Sequence, residues 1–104
     1  MGKNDIIKEL TKLLSHAVVH RIGSVVNNKE IYAEKYRKES DGFMKSAKET
    51  SVKENWNSYD KAIIKNKLKK GVYDELIKRD FLDKKKFDIM DEEIEKVLSE
   101  LDLI

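Results

Sequence analysis

The sequence contains no cysteine and no proline, and only four of its 104 residues are glycine. Without cysteine the chain has no disulfide, no thiolate metal ligand and no cysteine nucleophile. Proline removes a backbone donor and breaks helix interiors, so its absence permits long helices. The longest apolar run is three residues, and no signal-peptide stretch precedes the first helical pattern. We therefore expect a cytoplasmic protein without a membrane-spanning segment.

Charged residues are abundant, since Asp, Glu, Lys and Arg make up 40% of the chain with a net charge of +2. This composition suits helices that bury one stripe and solvate the rest. The charge is unevenly distributed: residues 1–80 carry 18 basic and 12 acidic groups, whereas residues 81–104 carry 4 and 8. We expect the acidic C-terminal segment to neutralise the basic stretch at 61–70, within the fold or between copies.

Apolar residues recur at intervals of three and four through most of the chain, which predicts amphipathic helices. We expect a single all-α domain over residues 1–104, a compact bundle of about four helices. The predicted helices span approximately 5–26, 28–54, 58–79 and 84–102. The turn dipeptide Asp41-Gly42 predicts a kink in the second helix, and Gly71 predicts an interruption of the third.

Two helix starts carry local signals. Asn27 can cap the second helix while Glu30 reaches back to it, and Val26 can pack on Ile31 across the turn. Together these residues predict a capping box with a hydrophobic staple. An asparagine or serine at 57–58 can cap the third helix in the same way.

The apolar arc of the first helix widens in its C-terminal half. Val19, Ile22 and Val26 extend it beyond one face, and a helix that is apolar on more than one side is buried on more than one side. These residues predict a self-association surface. We therefore expect a non-catalytic, self-associating interaction or structural protein, a homodimer with no membrane partner. No cofactor is expected, and enzyme activity is not expected because all glycines are isolated and no nucleophile lies in a recognisable motif.

A nucleic-acid-associated protein is the alternative, because clustered cations supply affinity for phosphate backbones. The candidate residues share one basic stretch and are Lys61, Lys65, Lys67, Lys69, Lys70, Lys78 and Arg79. A solvated lysine face is the competing interpretation. Arginine, which makes the commonest base-specific contact, occurs only three times.

A metal site is the third hypothesis. His16 and His20 are the only histidines and are spaced i,i+4, which places two imidazoles on one helix face. Glu30 or Glu34, just past the following turn, could provide a further ligand. The competing interpretation is that both histidines flank the apolar stripe.

Three further features lead to predictions, and two of them allow two interpretations. Arg21 lies near the centre of the first helix's stripe, where it is either paired with a carboxylate or reaches solvent. Phe81, Leu82 and Phe87 are expected to plug the space between the last two helices. Four aromatic residues either line a small-ligand pocket or, as their helical spacing favours, belong to the core: Tyr32, Tyr36, Trp56 and Tyr59.

Overall fold

A computed structural model describes residues 2–27 and 29–104, and in this part of the chain all regular secondary structure is helical. In chain order the helices are α1 (Lys3–Val26), α2 (Glu30–Ser51), α3 (Ser58–Lys78), α4 (Lys85–Asp88) and α5 (Met90–Glu100). The predicted all-α bundle of about four helices is confirmed, with α4 as one additional turn. Over the same residues, no helix has the length and apolar character needed to cross a membrane.

The central helix is α1, because α2, α3, α4 and α5 all pack against it. The core lies where α1, α3 and α5 meet. Its fully buried side chains include Leu10, Leu14, Val18, Val19 and Ile22 of α1, Ile64, Leu68, Val72 and Leu76 of α3, and Ile94, Val97 and Leu98 of α5. The wide apolar arc of α1 is therefore matched by several helices of the same chain.

This packing contradicts the predicted self-association surface at two of its three residues. Val19 and Ile22 are both 0% exposed, and Val26 is half-buried against the same core. Side chains with no accessible surface cannot meet a second copy. The apolar arc at Val19 and Ile22 is buried within the chain, whereas the homodimer itself stays a prediction.

The turn between α1 and α2 also differs from its prediction. α2 begins at Glu30 without a side-chain cap, and Asn27 Oδ1 instead accepts a hydrogen bond from the backbone N–H of Lys29 at 3.0 Å. Ile31 is 74% exposed, so it forms no staple. The predicted first residue of this helix, Asn28, lies outside the described residues.

The start of α3 confirms its predicted cap. Asn57 Oδ1 accepts from the N–H of Asp60 at 2.8 Å, and Asp60 Oδ2 accepts from the N–H of Asn57 at 3.2 Å. Lys3 Nζ, in the first turn of α1, donates to the same Asp60 oxygen at 2.7 Å. This ion pair brings the N-terminal ends of α1 and α3 together.

The predicted interruption at Gly71 was wrong, because α3 continues through this residue. α2 also continues through Asp41 and Gly42, and the kink expected there stays a prediction. A break falls at Ile89, which separates α4 from α5, so a single helix over 84–102 was wrong. Gly71 marks a close helix contact, because a Cβ atom there would lie 2.6 Å from Ser15 Oγ of α1.

The Asn57 cap allows a direct test. Replacing Asn57 with Ala should lower the free energy of unfolding by about 1 kcal/mol, the usual cost of losing a side-chain cap. Urea unfolding followed by circular dichroism measures the loss. Asn55→Ala is the matched control, since Asn55 is exposed and precedes the cap, and equal losses for the two variants would contradict the assignment.

The Gly71 contact predicts a coupled effect. In a Ser15→Ala background, the added Gly71→Ala change should raise the free energy of unfolding by about 1 kcal/mol, because alanine is the better helix former and the obstructing hydroxyl is gone. With Ser15 present, the same change should gain less, because the new methyl group meets Oγ. A thermodynamic cycle over the four proteins measures the coupling, and additive changes would contradict the close contact.

Candidate functional site

The contact between α1 and α2 is largely aromatic and polar. Ser40 Oγ donates to the carbonyl oxygen of Ala17 at 2.8 Å. The Tyr36 ring lies so close to α1 that a Cβ atom at Gly23 would be 3.1 Å from Tyr36 Cγ. The Phe43 ring lies 5.2 Å from the His20 ring, centroid to centroid. Gly23 and the small Ser40 therefore let α2 approach α1 closely.

His20 is buried at the centre of this contact. Its Nδ1 atom lies 2.7 Å from the carbonyl oxygen of His16, and its Nε2 atom lies 3.0 Å from Glu39 Oε2. The Tyr36 ring meets the imidazole edge-on at 5.5 Å. Both ring nitrogens of His20 are thus occupied by protein oxygens.

The predicted metal site does not form. His20 has no free nitrogen to ligate a metal ion, and Glu34 lies against Lys38 on the exposed side of α2, with 3.5 Å between Oε1 and Nζ. The carboxylate that reaches His20 is Glu39, one turn further along α2. Residues 2–27 and 29–104 contain no group of three His, Cys, Asp or Glu arranged to hold a metal.

A cavity of about 470 Å³ opens beside the His20–Glu39 pair. It lies between α2, the C-terminal half of α1 and the turn that follows α3. Its lining residues are His20, Asn27, Tyr32, Lys35, Tyr36, Glu39, Arg79 and Phe81. We call this space the α1–α2 cavity. Two of the four aromatic residues that could have lined a pocket, Tyr32 and Tyr36, do so. Trp56 instead packs against the core and donates from Nε1 to Ser51, and Tyr59 is exposed.

Arg79 is held at the wall of this cavity by its position at the C-terminus of α3. Lys86 is buried and its Nζ atom donates to the Arg79 carbonyl at 2.7 Å. The negative end of the α3 dipole stabilises a cation at this position. The Arg79 Nε atom is buried and has no hydrogen-bond partner among the described residues. The backbone of Arg79 is therefore fixed where its side chain lines the cavity.

Two aromatic rings stand at the cavity with much of their surface free. Tyr32 of α2 is 51% exposed, and Phe81 of the turn after α3 is 71% exposed. Lys29 Nζ lies 5.7 Å from the centroid of the Tyr32 ring. Of the three predicted plugs only Leu82 is buried, whereas Phe81 and Phe87 are exposed, so the prediction was wrong for both phenylalanines.

A separate depression of about 300 Å³ lies nearer the N-terminus of α1. α1 forms its floor and α3 forms its wall. Its lining residues are Lys8, Thr11, Lys12, Ser15, His16, Lys67, Gly71 and Glu75. We call this depression the basic groove, because three lysines face one glutamate. The close approach at Gly71 and Ser15 lies within it.

The lysines predicted to form one nucleic-acid-binding face are instead distributed around α3. Of the seven predicted residues, only Lys67 lines the basic groove and only Arg79 lines the cavity. Lys65 pairs with Glu95 of α5 at 3.3 Å, so the expected neutralisation is seen for one lysine. The other four, Lys61, Lys69, Lys70 and Lys78, line neither site.

Three further acidic residues of α5 have other partners. Lys96 of the same helix pairs with Glu92 and Glu93. Arg21 Nη2 donates to Glu100 Oε1 at 3.1 Å and lies 2.8 Å from Oε2. Arg21 is therefore paired with the acidic C-terminal helix, which was one of its two predicted states. Sequence reasoning overlooked Lys8 and Lys12, although they share the i,i+4 register of His16.

Comparison with protein families, with curated proteins and with solved structures found no match to this chain. A function must therefore be argued from the geometry of the cavity and the groove.

His16 lines the basic groove one turn before His20, and its surroundings affect its protonation. Burial lowers the pKa of His16 below its ordinary value, Glu75 opposes that change, and His20, Lys12 and Arg79 reinforce it. An unfolded chain therefore takes up the His16 proton at a higher pH than the folded chain. The stability that neutral His16 contributes is present above the ordinary histidine pKa and is lost as the pH falls toward the folded value.

Titration of the His16 ring protons by NMR tests this arrangement. Glu75→Gln should lower the pKa of His16 further, whereas Arg79→Gln should raise it. The urea midpoint should fall between about pH 7 and pH 5, and by less in His16→Asn. A His16 pKa that responds to neither charge change would place Arg79 and Glu75 away from the ring.

Proposed function

We propose that this protein is a non-catalytic binding protein whose α1–α2 cavity takes a small anionic ligand carrying a planar ring. The observation that carries the proposal is the lining of the cavity, which places the cations Arg79 and Lys35 beside the rings of Tyr32 and Phe81. A ligand carboxylate, sulfonate or phosphate would pair with these cations. A guanidinium suits such groups because its donors form a planar fork.

The size and lining of the cavity support the same ligand class. Its volume lies within the range of about 300–1,000 Å³ that is typical of small-molecule sites. Lys35 adds a second positive charge, while the one acidic group of the lining, Glu39, is already paired with His20. Tyr32 and Phe81 line the cavity and are both exposed, and a planar ring can stack against such side chains.

A binding role agrees with the chemistry of the lining residues. None of the residues that the structure places around the cavity is a serine or threonine, and both nitrogens of His20 are occupied. Self-association is not part of the proposal, because the apolar residues that suggested it are buried within the chain. Sequestration or sensing of the ligand requires no further chemical group.

Anilinonaphthalene sulfonate is a suitable probe, since it joins one anionic group to aromatic rings. We expect saturable binding in a fluorescence titration, and Arg79→Gln should weaken it about tenfold, equivalent to about 1.4 kcal/mol. Lys78→Gln is the matched control, because Lys78 is adjacent in sequence and does not line the cavity. Both variants should keep the helical circular dichroism of the parent.

The dye also fluoresces when it binds exposed apolar surface in partly unfolded protein. NMR chemical-shift perturbation should therefore accompany the titration. The expected shifts centre on Tyr32, Lys35 and Phe81. Binding that survives both Arg79→Gln and Lys35→Gln unchanged, or shifts confined to the distant Tyr73–Phe87 contact, would contradict the proposal.

A further inference from the structure

The α1–α2 cavity and the basic groove lie along the same helix. Lys8, Lys12 and His16 of α1 line the groove, and His20, one turn after His16, lines the cavity. At a rise of 1.5 Å per residue, the chain from Lys8 of α1 to Asn27, the C-cap residue of this helix, extends for about 28 Å. A ligand that occupies only the cavity would leave most of this length empty.

The gap exists because of how the helices pack. α2 and α3 both lie against α1, whereas the described residues show no extensive packing of α2 on α3. The strip of α1 between them therefore stays open to solvent in its N-terminal half. This strip carries the lysines at positions 8 and 12, and the wall from α3 adds Lys67.

The combined lining is strongly cationic. The groove and the cavity together contain five lysine or arginine side chains and two carboxylates: Lys8, Lys12, Lys35, Lys67 and Arg79, with Glu39 and Glu75. Within residues 2–27 and 29–104, none of these five cations forms an ion pair. Of the two carboxylates, Glu39 is paired with His20, and Glu75 forms no salt bridge with a described residue. An extended polyanion fits such a surface better than a single charged group.

The aromatic residues decide which polyanion fits best. Single-stranded nucleic acid is bound by a positive groove that follows its backbone, together with aromatic side chains on which its bases stack. Tyr32 and Phe81 supply exposed rings at the cavity end, and the three lysines follow at the groove end. A duplex keeps its bases within the stack, and an acidic peptide makes little use of exposed ring faces.

We propose that the α1–α2 cavity and the basic groove together bind a single strand of nucleic acid. One base rests against Tyr32 or Phe81, the adjacent phosphate meets Arg79, and the following phosphates pass Lys12, Lys8 and Lys67. This inference rests on the proposed function of the cavity, and it extends the ligand from one anionic group to a chain. The proposed site also differs from the one predicted from the sequence, because it lies along α1 and shares only Lys67 and Arg79 with the basic stretch at 61–79.

A labelled oligothymidylate of about twelve nucleotides provides the test, with fluorescence anisotropy at low and physiological salt as the readout. The variant Lys8→Gln/Lys12→Gln/Lys67→Gln should weaken binding at least tenfold. The slope of log binding constant against log salt concentration should also be shallower by about 2. Each lost phosphate contact on a single strand removes about 0.7, and the variant loses three. The matched control is Lys61→Gln/Lys69→Gln/Lys70→Gln, which removes the same charge from positions outside the site. The control should change the Kd by less than about twofold at physiological salt, where exposed charges are screened.

A second pair of variants tests the base contact. Phe81→Ala should weaken oligothymidylate binding about tenfold, the lower range for losing one stacked base. Phe87→Ala is its control, because Phe87 packs against Tyr73 and does not line the cavity. An oligomer of abasic deoxyribose phosphate should bind more weakly than oligothymidylate. Its Kd should be the same for the Phe81→Ala and Phe87→Ala variants, because it has no base to stack.

The outcomes separate the two proposals. Anilinonaphthalene sulfonate binding that depends on Arg79, without oligothymidylate binding, would overturn the nucleic-acid inference and leave the cavity proposal standing. If the unmodified protein binds neither anilinonaphthalene sulfonate nor oligothymidylate, both proposals are overturned. Equal losses in the groove and control triple variants, or tighter binding of polyglutamate or of a duplex of equal length, would also overturn the inference.

Discussion

The burial of α1 on several sides is the constraint on which the other helices depend. Its C-terminal half is apolar around most of its circumference, so one neighbouring helix cannot remove it from water. α2, α3 and α5 each cover a part of it. Two glycines permit the close approach, Gly23 beneath the Tyr36 ring and Gly71 against Ser15. The hydrophobic effect thus sets the arrangement, and the absence of a side chain at two positions sets its distances.

The proposed site follows from this arrangement. With α2 and α3 on two flanks of α1, the polar strip that carries Lys8, Lys12 and His16 remains open as a groove. The turn after α3, where Lys86 fixes the Arg79 carbonyl, borders the α1–α2 cavity. The functional side chains therefore come from three helices and one turn, each positioned by contacts that also stabilise the fold.

Local sequence signals predicted well those features that depend on neighbouring residues. Helical periodicity predicted the all-α bundle, and Asn57 with Asp60 forms the expected cap because both partners lie within one turn. The same kind of signal failed at Gly71. A glycine within a helical pattern reads as a break, but here it accommodates a residue of another helix. Part of the cavity was within reach of sequence reasoning through Tyr32 and Tyr36, whereas Lys8 and Lys12 were overlooked.

By itself, the sequence determined the helical class, the approximate extent of the long helices and the uneven distribution of charge, because periodicity, capping and composition act over short distances. Only the tertiary structure decided that Val19 and Ile22 are buried by their own chain, since a wide apolar arc is satisfied equally by a second molecule or by a second helix. It also decided which cations converge. Lysines from α1 and α3 share a groove while others on α3 point elsewhere, because convergence depends on which helix faces lie side by side.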